Sequence, residues 1–493
     1  MNRIIETLLD YAIDKQLMPP QDRCYARNRI LALLKEDSYV SCEEKASYTH
    51  VSELLDALCD IAAEKGIISK TIRSYDAFDS AIMDCVMMRP SQIIERFKRM
   101  DTKAATDMFY AFSKDSNYIR TNRIAKNICY KHATDFGVLD ITINCSKPEK
   151  DPKDIAAARN SMPNTYPTCV LCKENEGYYG NANRDGRSSI RLIPITLNDE
   201  VWYLQYSPYV YYNEHCIVLS EQHTPMKTCR ATFARLLDFV EQFPHYFLGA
   251  NADLPIVGGS ILTHDHYQGG NYEFAMAKAK VLESYDVFET AGVKAQRLYW
   301  PLSVLRLSGT DKQALISCAD RVLCLWRKYS DEACNILAHT SEDHNTISVI
   351  SRFRNGQFDL DLVLRNNRTS ERYPLGIFHP HEKIHHIKKE NIGIIEVMGL
   401  AVLPARLKNE LTWIKEAILQ GHTEHAEEIK IHRAWIDEIK EKYSFTPDNT
   451  EEILRKEVGD IFLEGLTHCG VFPLNETGAD GWKRFINALK EES

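Results

Sequence analysis

The feature that most constrains the fold is a change in the spacing of apolar residues near residue 139. Before it, apolar side chains recur every three or four positions, as in residues 29–34 and 51–62, which predicts amphipathic helices. From Leu139 to Asn144 apolar and polar residues alternate, as in a half-buried strand. Further strand-like runs are found at 191–197, 201–212 and 216–220. This order, helical first and mixed afterwards, predicts an α+β fold.

A helix and a hairpin are predicted further along the chain. Residues 228–243 carry an apolar stripe at helical spacing. The apolar runs at 347–353 and 358–365 flank Asn355-Gly356, the dipeptide that favours a tight hairpin turn. The two runs are therefore expected to pair as adjacent antiparallel strands.

The C-terminal part, from about Pro404, is predicted to be helical again. Asn449 is expected to cap a helix that begins near Thr450. A weak internal sequence similarity relates Thr263-His-Asp-His266 to Phe378-His-Pro-His381. Two related halves of a fold would produce such a similarity.

Charge and composition exclude several classes of protein. The 493 residues carry a formal net charge of -9, which does not favour binding to nucleic acid or to an anionic membrane. The N-terminal stretch contains Glu6, Asp10 and Asp14, so it does not read as a signal peptide, and no run of about 18 apolar residues occurs. The 14 cysteines form no small-scaffold framework, so reduced thiols and a cytoplasmic location are expected.

The strongest signal for chemistry lies between Gly258 and Gly270. Its centre reads His264-Asp-His266-Tyr-Gln268. In extended backbone, side chains two positions apart lie on one face, so two imidazoles and a carboxamide would project together. The flanking glycines let a ligand approach the backbone. Two incidental surface histidines are the alternative interpretation, which the glutamine and the glycines disfavour.

A second signal is the motif Cys169-Val-Leu-Cys172, whose spacing suits two thiolate ligands on one metal ion. Zinc typically takes four Cys or His ligands, so the remaining ligands would be histidines. His223 and His264 are the candidates. A redox pair is disfavoured because no thioredoxin-like context surrounds the motif. Two buried thiols without a metal remain the alternative interpretation.

Taken in order, these motifs resemble the galactose-1-phosphate uridylyltransferases of the histidine-triad superfamily. The order is Cys-x-x-Cys, Ser-x-x-His at a strand end, an asparagine before a Gly/Ser loop, and His-x-His-x-Gln. The length, the helical N-terminal extension and the His-Asp-His-Tyr-Gln-Gly-Gly segment are similar to the class II branch found in low-GC Gram-positive bacteria. The resemblance runs from about residue 20 to about residue 480, and it is most specific over 139–272 and 344–405.

The resemblance implies a role for each matching residue. His266 matches the family's nucleophile, Gln268 its supporting glutamine and Asn251 an asparagine near the active site. The family's zinc ligands are matched by Cys169, Cys172, His223 and His264. Its phosphate contacts are matched by Gly259, Ser260, Lys147 and Lys150. The better-known branch has arginines in place of the two lysines and proline in place of Asp265.

For the whole molecule, the resemblance implies a histidine-triad-like antiparallel sheet in two related halves with packed helices. The expected regions are a helical N-terminal region at 1–135, a first half with the metal site and nucleophile at 136–300, a second half at 301–405 and a helical C-terminal region at 406–493. The implied enzyme exchanges UMP between UDP-glucose and galactose 1-phosphate in galactose metabolism. It would use ping-pong kinetics through a uridylyl-histidine, and it would contain a structural zinc and form a homodimer.

The glutamine at position 268 independently favours a transferase. Related hydrolases with a histidine at this position can use it as a general acid for a poor leaving group. A sugar 1-phosphate leaves as a stable anion, so an uncharged amide that bonds a phosphoryl oxygen is sufficient. Two alternatives share the same motif: a dinucleotide phosphorylase or related nucleotidyltransferase, and a nucleotide-binding protein without catalytic activity.

A second concentration of histidine comprises His379, His381, His385 and His386. Three interpretations stay open for it. The imidazoles would ligate a second metal, bind sugar and phosphate, or lie incidentally in an exposed loop.

Overall fold

The computed structural model describes residues 1–146, 166–181, 184–288 and 292–491. These residues form two compact units. The first contains the described residues of 1–126, 146–224 and 264–266, and the second those of 127–145, 225–263 and 267–493. The expected division into four regions stays a prediction.

The described residues form helices first, then mainly strands with single helices between them, and finally helices again. The helices are α1 (Asn2–Asp14), α2 (Arg23–Leu33), α3 (Val51–Glu64), α4 (Ile72–Cys85), α5 (Pro90–Lys98), α6 (Thr102–Asp115), α7 (Thr121–Ile124), α8 (Arg230–Gln242), α9 (Lys312–Trp326), α10 (Ile394–Val397), α11 (Leu407–Gln420), α12 (Arg433–Lys442), α13 (Thr450–His468) and α14 (Glu476–Glu491). The strands are β1 (Ile128–Thr134), β2 (Gly137–Asn144), β3 (Ile193–Leu197), β4 (Glu200–Tyr206), β5 (Cys216–Ser220), β6 (Phe247–Ala250), β7 (His266–Gly270), β8 (Val281–Tyr285), β9 (Lys294–Leu298), β10 (Val304–Gly309), β11 (Asn345–Arg354), β12 (Gln357–Asn366) and β13 (Leu400–Pro404).

Helices α1 to α7 form the N-terminal part of the first unit, as the apolar spacing predicted. Polar side chains cap the N-termini of several of these helices. At the start of α6, the Asp101 carboxylate accepts the Ala104 N–H at 3.1 Å. A partly buried ion pair ties α4 to the segment before α7, with Arg120 Nη2 2.8 Å from Asp79 Oδ1. The apolar faces of these helices supply a core of aliphatic and aromatic side chains.

Strands β3, β4 and β5 pair antiparallel within the first unit. Strand β4 ends at Tyr206, six residues before the predicted end, because Ser207-Pro208 follows and proline cannot donate to a strand ladder. The Tyr206 hydroxyl donates to the carbonyl of Thr106 at 2.9 Å, which fixes the strand against α6. Strand β5 ends at Ser220, so His223 lies just beyond a strand end, as predicted.

The second unit contains a three-stranded sheet in the order β1-β2-β13. Strand β1 pairs antiparallel with β2, and β13 runs parallel to β2. Residues 128–134 of β1 were assigned to the helical region by sequence. They form a strand because every one of them pairs with a residue of β2, and such pairing outweighs local preference.

A larger antiparallel sheet of the second unit has the order β7-β6-β11-β12-β10-β9-β8. Its hairpin β11–β12 confirms the prediction at Asn355-Gly356, whose φ angles of 53° and 73° are those of a tight left-handed turn. Helices α8 and α9 pack on this sheet. With its mixture of helices and largely antiparallel strands, the fold confirms the predicted α+β class.

Three charged side chains are buried in the middle of this sheet. Asp361 on β12 has no exposed surface. It accepts hydrogen bonds from Arg306 Nε at 2.6 Å and Nη2 at 2.9 Å on β10, and from Arg352 Nη1 at 2.6 Å on β11. One carboxylate thus binds two guanidinium groups from the two neighbouring strands.

The C-terminal helices α11 to α14 confirm the predicted helical end. The capping prediction for Asn449 was wrong in one respect. Asn449 precedes α13, but its side chain accepts the Thr446 N–H at 2.8 Å and donates to the Ser444 carbonyl at 3.0 Å, instead of bonding the helix. No helix among the described residues is long and apolar enough to cross a membrane.

Candidate active site

The first unit brings two thiols and two imidazoles together beyond the end of β5. Cys169 and Cys172 lie in the loop that precedes a short 3₁₀ turn, His223 follows β5 and His264 precedes β7. The ligand atoms of these four side chains all lie within 4.8 Å of one another. The Sγ atoms are 3.5 Å apart, and His264 Nδ1 is 3.2 Å from Cys169 Sγ. His223 Nδ1 lies 3.3 Å from Cys172 Sγ.

The three shorter distances, 3.2–3.5 Å, are close to those between the ligands of a tetrahedral metal ion. Zinc bond lengths of about 2.3 Å to sulfur and 2.0–2.1 Å to nitrogen give tetrahedral edges of about 3.3–3.8 Å. The donor atoms, two thiols and two imidazole nitrogens, are those that zinc prefers. Within the described part of the chain, no other group of three or more Cys, His, Asp or Glu side chains converges in this way. The cluster can therefore hold a metal ion.

Burial and hydrogen bonding shift the pKa values of Cys172, Cys169 and His264. Burial raises the pKa of Cys172 to about 11. Burial alone would raise the pKa of Cys169 as well, but its hydrogen bond with His264 lowers it below the usual value. Burial alone would lower the pKa of His264, but the same bond raises it. Both of these shifts have the Cys169–His264 contact among their causes.

Backbone hydrogen bonds hold the segment around His264 against the end of β5. The His264 ring donates from Nε2 to the Ser220 carbonyl at 3.0 Å, which leaves Nδ1 to face the sulfur atoms. The Asp265 N–H donates to the Thr224 carbonyl at 2.7 Å, and its carbonyl accepts the Ser220 N–H at 3.0 Å. His264 therefore lies in a bend before β7, and the predicted extended backbone begins only at His266.

The orientation of the His266 ring is set by the same segment. Its Nδ1 lies 2.8 Å from the carbonyl oxygen of His264. A carbonyl can only accept, so Nδ1 carries the hydrogen and Nε2 carries the lone pair. The side chain is 6 % exposed, and burial lowers its pKa to about 4. With this pKa the ring is neutral at pH 7, and its unprotonated Nε2 is the nitrogen that does not face the His264 carbonyl.

The other predicted contacts lie in the second unit or outside the described residues. Gln268 is half-buried two positions along β7, opposite Gly249 of β6. The Asn251 side chain accepts the Ile394 N–H at 2.9 Å, and a Cβ at Gly259 would lie 3.0 Å from Asn251 Nδ2. Ser260 is exposed. Lys147 and Lys150 fall outside the described residues.

The second histidine concentration is not gathered around one point. His379 is buried, and its ring contacts Asn391 Oδ1 at 3.2 Å. The His381 ring is stacked on His468, with centroids 4.0 Å apart. His386 Nδ1 lies 2.9 Å from His432 Nδ1, and His385 Nε2 donates to a backbone carbonyl at 2.8 Å. Because each ring has a separate partner, these four side chains do not form a ready metal site.

Two polar groups near these clusters were missed by sequence reasoning. The buried Asn175 bonds the backbone of both cysteines. It stands three residues after Cys172, a spacing that could have suggested it. Glu410 accepts from His432 Nε2 at 3.0 Å, so a carboxylate lies behind the His386–His432 pair. No local sequence signal connects residues so far apart in the chain.

Comparison with known proteins covers the whole chain. Residues 16–225 match the N-terminal domain, and residues 239–436 the C-terminal domain, of galactose-1-phosphate uridyl transferase. Galactose-1-phosphate uridylyltransferase of Clostridium acetobutylicum is 50 % identical over 99 % of this chain and 100 % of its own. The enzymes of that name from Clostridium perfringens and Bacillus subtilis are 51 % and 44 % identical, over 99 % and 98 % of this chain and 99 % and 97 % of theirs.

Crystal structures of the yeast Ap4A phosphorylase Apa2 are far more distant. The complex with Ap4A is 12 % identical and covers 66 % of this chain and 92 % of the phosphorylase, with a TM-score of 0.35. This similarity is too low to carry an argument. The full-length relatives define the class, because all of those compared are transferases by name. The chain belongs to the galactose-1-phosphate uridylyltransferase family.

Proposed function

We propose that the chain exchanges UMP between UDP-glucose and galactose 1-phosphate by way of a covalent uridylyl–His266. The observation that carries this proposal is the hydrogen bond from His266 Nδ1 to the His264 carbonyl at 2.8 Å, which leaves Nε2 as the nucleophilic atom. The family membership of the whole chain supports the reaction and its place in galactose metabolism.

The first step transfers the uridylyl group to the protein. His266 Nε2 attacks the α-phosphorus of UDP-glucose, the P–N bond forms, and the P–O bond to glucose 1-phosphate breaks. Glucose 1-phosphate leaves as an anion and needs no proton. The ring becomes positively charged, and the Nδ1–H that remains bonded to the His264 carbonyl stabilises this charge, as a buried acceptor does for the catalytic histidine of hydrolytic triads.

The second step releases the product and restores the ring. A phosphate oxygen of galactose 1-phosphate attacks the phosphorus of uridylyl–His266, and the P–N bond breaks. UDP-galactose leaves, and Nε2 regains its lone pair. Gln268 is proposed to donate its amide hydrogen to a phosphoryl oxygen in both steps, because an uncharged donor stabilises the transition state without supplying a proton. Asn251, Gly259, Ser260, Lys147 and Lys150 are proposed to bind substrate phosphates.

A structural zinc is proposed for the cluster of Cys169, Cys172, His223 and His264. When bound, the ion would fix the side chain of His264 and thereby the carbonyl that receives His266 Nδ1–H. No chemical step passes through the ion. The cytoplasmic location and the homodimer stay predictions from the sequence.

The decisive experiment is incubation with UDP-glucose labelled in its uridine, followed by mass mapping of the modified peptide. A uridylyl group on His266, absent from His266→Ala, is the expected result. Label on His264 with His266 unmodified would overturn the assignment. Product formation from a diadenosine polyphosphate in place of UDP-glucose would instead favour a phosphorylase, and no labelling by either substrate would favour a non-catalytic protein.

A further inference from the structure

The loop that carries the two cysteines is closed by one amide group. Asn175 is 3 % exposed, and its side chain donates to the Cys169 carbonyl at 2.8 Å and to the Cys172 carbonyl at 2.7 Å. The two amide hydrogens of Nδ2 are therefore both used, one on each cysteine. These are the backbone groups of the two residues that offer thiols to the candidate metal.

The conformation held by this amide also directs backbone N–H groups at the sulfur atoms. The Leu171 N–H donates to Cys169 Sγ at 3.3 Å, and the Cys169 N–H donates to Cys172 Sγ at 3.3 Å. Hydrogen bonds of this kind fix the position of each sulfur atom relative to the backbone of the loop. Both bonds require the loop to keep the turn in which the carbonyls of Cys169 and Cys172 face Asn175.

The same loop reaches the nucleophile through one further residue. Cys169 Sγ lies 3.2 Å from His264 Nδ1, and the His264 carbonyl receives His266 Nδ1–H. A shift of the cysteine loop would therefore be passed to the ring that is proposed to attack phosphorus. We propose that Asn175 is a positioning residue of the metal centre, which holds the two thiolates at the spacing that zinc requires and slows release of the ion.

This inference rests on the proposed metal centre. The proposed role of Asn175 can be distinguished from a general contribution to stability, because the chain offers a matched control. Asn345 in the second unit is also 3 % exposed, and its amide donates to the Trp326 carbonyl at 2.6 Å and the Tyr329 carbonyl at 2.8 Å. Those carbonyls are likewise three residues apart, so truncation of either asparagine removes two side-chain hydrogen bonds from backbone carbonyls. Among the residues described, only Asn175 bonds the cysteines of the cluster in this way.

The experiment measures the rate of zinc release from loaded full-length protein to an excess of a chromophoric chelator. It compares wild type, Asn175→Ala, Asn175→Asp and Asn345→Ala at a temperature at which all four are folded. We expect release about 10–100-fold faster from both Asn175 variants, the range typical of lost contacts behind metal ligands. Asn345→Ala is expected to melt at a lower temperature but to release zinc at the wild-type rate.

The aspartate variant keeps the shape of the side chain and removes both N–H donors, so it tests the inference even if Asn175→Ala does not fold. Cobalt(II) substitution adds a second readout, since the absorption bands of a thiolate-bound cobalt ion should shift in the Asn175 variants and not in Asn345→Ala. Wild-type release rates in both Asn175 variants, or equal acceleration in Asn345→Ala, would overturn the inference alone. A wild-type protein that binds no zinc would overturn the metal centre together with the inference.

Discussion

Binding of zinc to the metal-free protein should release protons, and the pKa shifts of the ligands limit how many. At pH 7 the Cys172 thiol, with its pKa of about 11, is protonated. It must lose that proton when it binds the ion. The 3.2 Å contact between Cys169 and His264 lowers the pKa of the thiol and raises the pKa of the ring, so a second proton can lie between them. Both atoms need a free lone pair to bind metal, so whatever part of this proton is present at pH 7 is also released. The expected total is between about one and about two protons per zinc.

The sign of the pH dependence follows directly. Protons compete with the metal for the same atoms, so affinity falls as the pH falls, by about tenfold per pH unit for each proton released. Isothermal titration of the metal-free protein, in buffers with different ionisation enthalpies, gives the number of protons from the slope of the observed enthalpy. Cys172→Ser should release about one proton fewer, because a serine hydroxyl stays protonated. Tight binding with no proton release at pH 7 would refute the protonation assigned to Cys172.

Four other outcomes are expected. His266→Ala should lose UMP exchange by several orders of magnitude while circular dichroism shows an unchanged fold, because the attacking nitrogen is removed. Gln268→Asn should cost about 2–4 kcal/mol of transition-state stabilisation, measured from kcat/KM, since the shorter amide no longer reaches the phosphoryl oxygen. Gly356→Ala should lower the free energy of unfolding by about 1 kcal/mol in denaturant titration, because φ is +73° and alanine is strained in this left-handed conformation. A Cβ there would touch nothing within 4 Å, so the backbone conformation is the whole cost. Burial lowers the pKa of His386 to about 3 and the pKa of His468 to about 4. The stability that these rings contribute is therefore full above their unfolded-state pKa of about 6.5 and is lost as the pH falls below it, by at most about 1.4 kcal/mol per pH unit for each ring. His386→Gln should flatten this dependence of stability on pH.

Each of these outcomes has a result that contradicts it. Residual exchange in His266→Ala at the wild-type rate would exclude the covalent route. Unchanged kcat/KM in Gln268→Asn would remove the glutamine from the transition state, and wild-type stability of Gly356→Ala would show that the turn relaxes at no cost. Identical slopes for wild type and His386→Gln between pH 6.5 and pH 4 would mean that this ring protonates in the folded state.

Local chemistry explains which features could be predicted from the sequence. The hairpin at Asn355-Gly356 was predictable, because only a few dipeptides adopt two successive left-handed conformations. The four residues of the metal cluster could be named because a Cys-x-x-Cys pair suits one metal ion and needs further Cys or His ligands to complete the site. In both cases the information is carried by the residue type itself.

Features that depend on partners distant in sequence were not predictable in the same way. Strand β1 forms because it pairs with β2, although its own residues gave no strand signal. The bend at His264 depends on the Ser220 and Thr224 carbonyls, and neither carbonyl is visible in a pattern of side chains. The lysines at 147 and 150 lie outside the described residues, so their part in phosphate binding stays a prediction.

The two ion pairs of Asp361 fix how the strands of the second unit are aligned. A slip of β12 by one residue would turn Asp361 to the opposite face of the sheet and leave Arg306 and Arg352 without their carboxylate. An unpaired buried charge costs about 3–5 kcal/mol. Apolar side chains at the same positions would find new apolar neighbours after the slip and would penalise it less. The three charges thus favour a single alignment of these strands, and removal of Asp361 would leave both arginines without their carboxylate.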